Sequence, residues 1–152
     1  MPDGQGTPLA GEKIYQEKCS NCHGPTADGV SGIYPALRGG IGSLTSRKPL
    51  RTIGSFWPYP ESVLDYVRRA MPLDSPQSLS NDDLYAVVSY LFYINHIVSK
   101  DFVLDSKTIA GIEMPNRKGF IETGEGRERP TVAGTAGENR LMDCRSKAGG
   151  RK

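Results

Sequence analysis

The sequence predicts a helical fold, and three observations carry that expectation. Segments 11–18, 61–71 and 80–98 place apolar residues at helical spacing. No stretch shows the strand, helix, strand alternation of a βαβ unit. The first helical segment runs directly into the pentapeptide Cys19-Ser20-Asn21-Cys22-His23, which organises everything around it.

Taken in order, residues 6–10 read as a short flexible lead. GEKIYQEK (11–18) is polar with Ile14 and Tyr15 on one side, which suits an amphipathic helix delivering the cysteines. After His23, GPTADGVSGIYPALRGGIGSL is rich in Gly and Pro and reads as loop. ESVLDYVRRAM (61–71) sets Val63, Leu64, Val67 and Ala70 on one face, and Pro72 stops the helix. Ser80 with Asp83 caps a strongly periodic helix predicted to run through Val98, carrying Leu84, Val87, Val88, Leu91, Phe92 and Ile94. Its small and aromatic patch at Ala86, Ser89 and Tyr90 is suited to cross the first helix near Gly11 and Tyr15.

Composition shifts after that helix. Residues 1–98 hold eight Lys/Arg against nine Asp/Glu, whereas residues 99–152 hold eleven against eight, with much Gly and Pro. The expected organisation is a body over 1–98 and an extension over 99–152, partly packed on the body through IEMPNRKGFI (112–121). From Glu122 onward the extension is expected to be flexible or partner-dependent.

Two thiols three positions apart, followed at once by an imidazole, match the attachment signature of c-type haem. The cysteines add across the porphyrin vinyl groups and the histidine becomes the proximal iron ligand. The bland alternatives are a zinc site and a dithiol redox pair. A structural zinc site needs four ligands, and the remaining Cys144 and His96 lie far off and form no second pair. A redox dithiol normally follows a strand of a βαβ unit, which is missing. One motif implies one covalent haem c.

With 152 residues and 37% apolar content the chain can form one modest core, to which a porphyrin adds apolar area. The net charge of +2 is too small, and too scattered, for nucleic-acid binding. No apolar run is long enough to span a membrane. Bacterial haem attachment takes place outside the cytoplasm, so a periplasmic location is expected, with an export signal absent from this sequence. In that oxidising compartment Cys144, left over once Cys19 and Cys22 hold haem, points to an intermolecular disulfide or a partner subunit.

A metal-bound histidine usually donates its second ring N–H to a carbonyl, and the PALRG loop nominates Pro35 for that role beside His23. RKPLRTIGSFWPYP (47–60) mixes basic and aromatic residues. Trp57 and Tyr59 can pack on the porphyrin and bond its propionates, while Arg47, Arg51 and Arg38 are candidates to neutralise them. For the sixth iron ligand Met71 is the first choice, since the chain from His23 to Met71 is long enough to reach the distal face. Met114 is the second, requiring the extension to fold back. His96, a lysine or an open position are the remaining options.

Gly11-x-x-x-Tyr15-x-x-x-Cys19-x-x-Cys22-His23, the PALRG loop, Ala70-Met71-Pro72 and the closing SYLFYIN together resemble a class I cytochrome c over residues 8–98. That resemblance implies an all-α class I cytochrome c fold, three to five helices around one covalently bound haem, here with an extended irregular C-terminal tail. A narrower resemblance rests on TIGSFWPYPESVLDYVRRAMPLDSPQSLSNDDLYAVVSYLFYIN followed by MPNRKGF. This is similar to the cytochrome subunits of the bacterial sulfur-oxidation (Sox) system, partners of a molybdenum sulfite or sulfane dehydrogenase. Those subunits can carry two haems, whereas this sequence has one attachment motif.

The function these resemblances imply is single-electron transfer from a molybdenum dehydrogenase to a downstream cytochrome, without catalysis by the chain itself. Two rivals stand beside it: a haem enzyme of sulfur metabolism resembling thiosulfate dehydrogenase, and an electron acceptor for a quinoprotein dehydrogenase.

Overall fold

A computed structural model describes residues 1–120; Cys144, Met142 and the stretch from Glu122 onward lie outside the described residues. Its elements are strand β1 (Gln5–Gly6), helices α1 (Pro8–Lys18), α2 (Ser20–His23), α3 (Ile53–Phe56), α4 (Pro60–Ala70) and α5 (Asn81–Ile94), and strand β2 (Leu104–Asp105). Single 3-10 turns occur at Ser43–Thr45 and Ile109–Gly111.

The helix start signals act as the sequence suggests, with one shift. Thr7 caps α1 and Pro8 fills its first position, so the helix begins three residues before the expected Gly11. Gly6, expected to open a flexible lead, joins Gln5 in β1, which pairs with β2, Gln5 opposite Asp105 and Gly6 opposite Leu104. This small sheet needs a partner a hundred residues away, which no local pattern announces.

Helix α5 is the centre of the molecule: every residue from Leu84 to Phe92 is buried. Its Ser80 cap accepts from the Asp83 N–H at 3.1 Å. Helix α1 crosses it where Gly11 meets Ala86 and Tyr90, and the Tyr15 and Tyr90 rings lie 5.3 Å apart. A Cβ on Gly6 or Gly11 would overlap Ala86 backbone atoms, so glycine at both is what lets the strand and helix approach. Helix α4 adds Val63, Leu64 and Val67 to the same core.

Helix α5 ends at Ile94, four residues short of the predicted Val98. The His96 N–H donates to the Tyr93 carbonyl at 2.9 Å and the Ile97 N–H to the Phe92 carbonyl at 3.0 Å, while His96 sits at φ 59°. This is a Schellman stop with a histidine in the left-handed position usually held by glycine. His96 is therefore an exposed residue past the helix end, not a side chain on its apolar face.

Residues 99–120 contribute to the core rather than lying over it. Leu104, Ile109 and Met114 are each at most 1% exposed. The turn after Met114 is pinned by Asn116, whose Nδ2 donates to the Phe56 carbonyl at 2.7 Å.

Candidate functional site

Cys19 is the C-cap of α1, and the chain turns at once into α2. The Cys22 and His23 N–H groups both donate to the Cys19 carbonyl, at 3.2 and 3.0 Å. Positions i, i+3 and i+4 of one helical turn put Cys19, Cys22 and His23 on the same side, each partly exposed. Burial, with Cys22 second, pushes the free Cys19 thiol up to about 11. The entry is braced by Tyr15, whose hydroxyl donates to the Gly24 carbonyl at 2.7 Å.

The loop after His23 doubles back on it. Gly29, at φ +74°, donates its N–H to the His23 carbonyl at 2.8 Å, and a Cβ there would press on the backbone of Tyr34, Pro35 and Ala36. That close approach places the Pro35 carbonyl 3.0 Å from His23 Nδ1. A carbonyl only accepts, so the bond requires the ring proton on Nδ1 and leaves the Nε2 lone pair for a metal.

Two further positions from the sequence are found elsewhere than expected. Arg38, a candidate for the propionates, donates to Asp28 through Nε and Nη2 at 2.8 and 2.9 Å, an exposed ion pair within the loop. His96 caps the end of α5 as described. Of the second basic and aromatic segment, Trp57 packs on Tyr66 with rings 5.6 Å apart, Tyr59 lies under the Arg117 guanidinium at 4.3 Å, and Arg51 stands over Phe56 at 5.6 Å. Arg47 is exposed and has no ion pair or side-chain hydrogen bond among the described residues. A cavity of about 610 Å³ between α4 and the start of α5, lined by Asp65, Arg68, Arg69 and Gln77, contains none of these residues.

The two methionines differ in surroundings. Met71 caps the C-terminus of α4 and keeps part of its surface, whereas Met114 is 1% exposed within the core.

Residues 6–91 match the model of the family described as cytochrome C oxidase, cbb3-type, subunit III. The chain belongs to this family of c-type cytochromes. A cytochrome of this kind holds haem c covalently, and the single Cys-x-x-Cys-His sets the number at one. The residues present fit the group: two thiols and an oriented imidazole share one face, and the loops leading from His23 and Met71 expose Ile33, Tyr34, Ile41 and Leu73, apolar area of the sort a porphyrin covers.

The cytochrome is also similar to a chain in the crystal structure of the sulfane dehydrogenase SoxCD from Paracoccus pantotrophus. That match has a TM-score of 0.77 and 38% identity, covering 99% of this chain and 73% of that one. No curated protein matches. The class I cytochrome c fold and the resemblance to Sox cytochromes are both upheld, with the two-stranded sheet as an addition to the expected all-α architecture. Among the described residues no helix is long and apolar enough to cross a membrane.

Sequence reasoning missed three residues that shape the site: Thr52, Asn95 and Asn116. Thr52 and Ser55 form a capping box at α3, and Thr52 Oγ1 also donates to the Gly39 carbonyl at 2.6 Å. The Thr-x-x-Ser spacing was a usable signal for the cap, and an asparagine directly after a long apolar run is a helix-end signal. Nothing local marks Asn116 as the tie to Phe56.

Proposed function

We propose that this cytochrome carries single electrons from a molybdenum sulfane or sulfite dehydrogenase to a downstream cytochrome, in the periplasm, and performs no chemistry on a sulfur substrate itself. The observation that carries the reading is the extent of likeness to the SoxCD chain: 99% of this sequence, whereas the cbb3-type family model stops at residue 91. The likeness thus takes in the extension that distinguishes this chain from a minimal cytochrome domain.

In this reading Cys19 and Cys22 hold the porphyrin and His23 Nε2 ligates the iron, with Nδ1–H donating to Pro35. Haem iron supplies a one-electron couple, and a methionine ligand opposite the histidine raises its potential. Met71 is the proposed sixth ligand. Burial supports it over Met114, whose sulfur is enclosed by protein and offers no surface to a metal. Trp57, Tyr59, Arg47 and Arg51 are proposed to face the propionates. Residues 1–98 are proposed as the haem domain, with 99–120 of the extension packed into its core, and the remainder of the extension to 152 is proposed to contact the dehydrogenase.

The test is stopped-flow reduction of the oxidised, matured protein by a molybdenum sulfane dehydrogenase subunit turning over its sulfur substrate. Reduction of the haem bands at the turnover rate is expected. Oxidation of thiosulfate by the cytochrome alone, or reduction only by a quinoprotein dehydrogenase, would overturn the assignment.

A further inference from the structure

We infer that Asn95, at the end of α5, is the positioning residue for the proximal histidine; the inference rests on the haem reading above. Asn95 is 1% exposed and every polar atom of its amide is used. Nδ2 donates to the Leu91 carbonyl at 2.9 Å, within its own helix, and to the Leu37 carbonyl at 3.0 Å. Oδ1 accepts from the Gly39 N–H at 3.1 Å. One side chain on the most buried helix thereby clamps a loop both before and after Arg38.

The Pro35 carbonyl that orients His23 lies just upstream of that clamp. Its segment is anchored on both sides. On one side Val30 and Tyr34 exchange backbone hydrogen bonds of 2.9 Å, but both residues are on the exposed loop itself, at 41% and 37% exposure. On the other side Leu37 and Gly39 are tied to Asn95. The buried Ala27 carbonyl also accepts from the Leu37 N–H at 2.9 Å, and the Thr52 hydroxyl donates to the Gly39 carbonyl at 2.6 Å. Asn95 is nevertheless the side chain that holds both Leu37 and Gly39 to the core. Gly54 of α3 presses on the same amide: a Cβ there would lie 2.6 Å from Oδ1, so the clamp is also closed from the α3 side.

The chemical consequence falls on the imidazole. A firm Nδ1–H···O bond gives the ring more imidazolate character and strengthens it as a donor toward the oxidised metal. Loosening the carbonyl weakens that donation and shifts the couple toward the reduced form. Asn95, which touches neither haem nor ligand in this account, acts on the potential through Leu37, Gly39 and Pro35.

The decisive variant is Asn95→Asp, read with its carboxyl ionised, which keeps the acceptor for Gly39 but cannot donate to Leu37 or Leu91. In the ferric protein the His23 Nδ1–H resonance is expected to exchange with solvent about tenfold faster, and the reduction potential to rise. Leu84→Ala, at the opposite end of α5, is expected to lower thermal stability while leaving both readouts in place. Asn95→Asp with lost stability but unmoved exchange and potential overturns the inference. Should Asn95→Asp not fold, the unmodified protein decides: the Gly39 amide and His23 Nδ1–H are expected to exchange through one opening, their rates rising together with denaturant. Uncoupled rates overturn the clamp. A matured wild-type chain with no haem adduct by mass overturns the parent reading and the inference with it, an outcome distinct from an adduct whose axial histidine ignores Asn95.

Discussion

Gly11 of α1 lies against the carbonyl of Ala86 in α5, and no side chain fits between them. The contact fixes the distance at which the helix delivering the cysteines sits from the most buried helix. Gly11→Ala should therefore be destabilising although alanine is the better helix former. Overpacking of this kind costs about 1–3 kcal/mol, read as a lower denaturant midpoint in the matured protein. An unchanged midpoint would show that α1 can slide without penalty.

The two methionines give opposite expectations. Met71→Ala should abolish the methionine-to-ferric charge-transfer band with a small effect on folding, since Met71 is only partly buried. Met114→Ala should keep the band and cost about 2–5 kcal/mol as a core truncation. A band that survives Met71→Ala and vanishes in Met114→Ala reverses the proposed ligand.

His96 holds a left-handed conformation, at φ 59°, that glycine adopts without strain. His96→Gly should stabilise the protein by about 0.5–1 kcal/mol, the relief of backbone strain outweighing the added freedom of the unfolded chain. Thermal denaturation checks this. A loss of stability would mean the imidazole makes a contact that outweighs its backbone cost.

The Arg38 guanidinium, and then the Thr26 hydroxyl, hold the Asp28 carboxyl below its ordinary range. Because the folded pKa is depressed, the contribution is present above the unfolded value of about 3.9 and is lost as pH falls through the folded value. Carbon-detected NMR should find Asp28 titrating below that figure, and Arg38→Leu should return it toward normal. A titration that ignores the substitution would mean the ion pair does not persist in solution.

The parts of the fold readable in advance were those with a local physical signature. Cys19, Cys22 and His23 declare their chemistry by spacing alone, and Pro35 was accessible because axial histidines need a carbonyl partner. The helices at α4 and α5 showed their caps and periodicity, and the patch at Ala86 and Tyr90 pointed to Gly11. What escaped depended on distance in sequence. Strand β1 exists only because residues 104–105 return to it. The Arg38 ion pair with Asp28, ten residues earlier, has no local signature either. Helix α5 was predicted too long because Ile97 and Val98 continue its apolar pattern, while the stop is made by backbone bonds that tolerate a histidine where glycine is the usual cue.

Leu104 of β2 packs beside α5, Ile109 of the following 3-10 turn beside α4, and Met114 is buried in the same core. Anyone grafting the end of one such carrier onto another should place the seam after residue 120. A splice at the close of the last long helix would amputate three hydrophobic plugs, and the resulting hybrid would expose its interior before its redox properties could be compared.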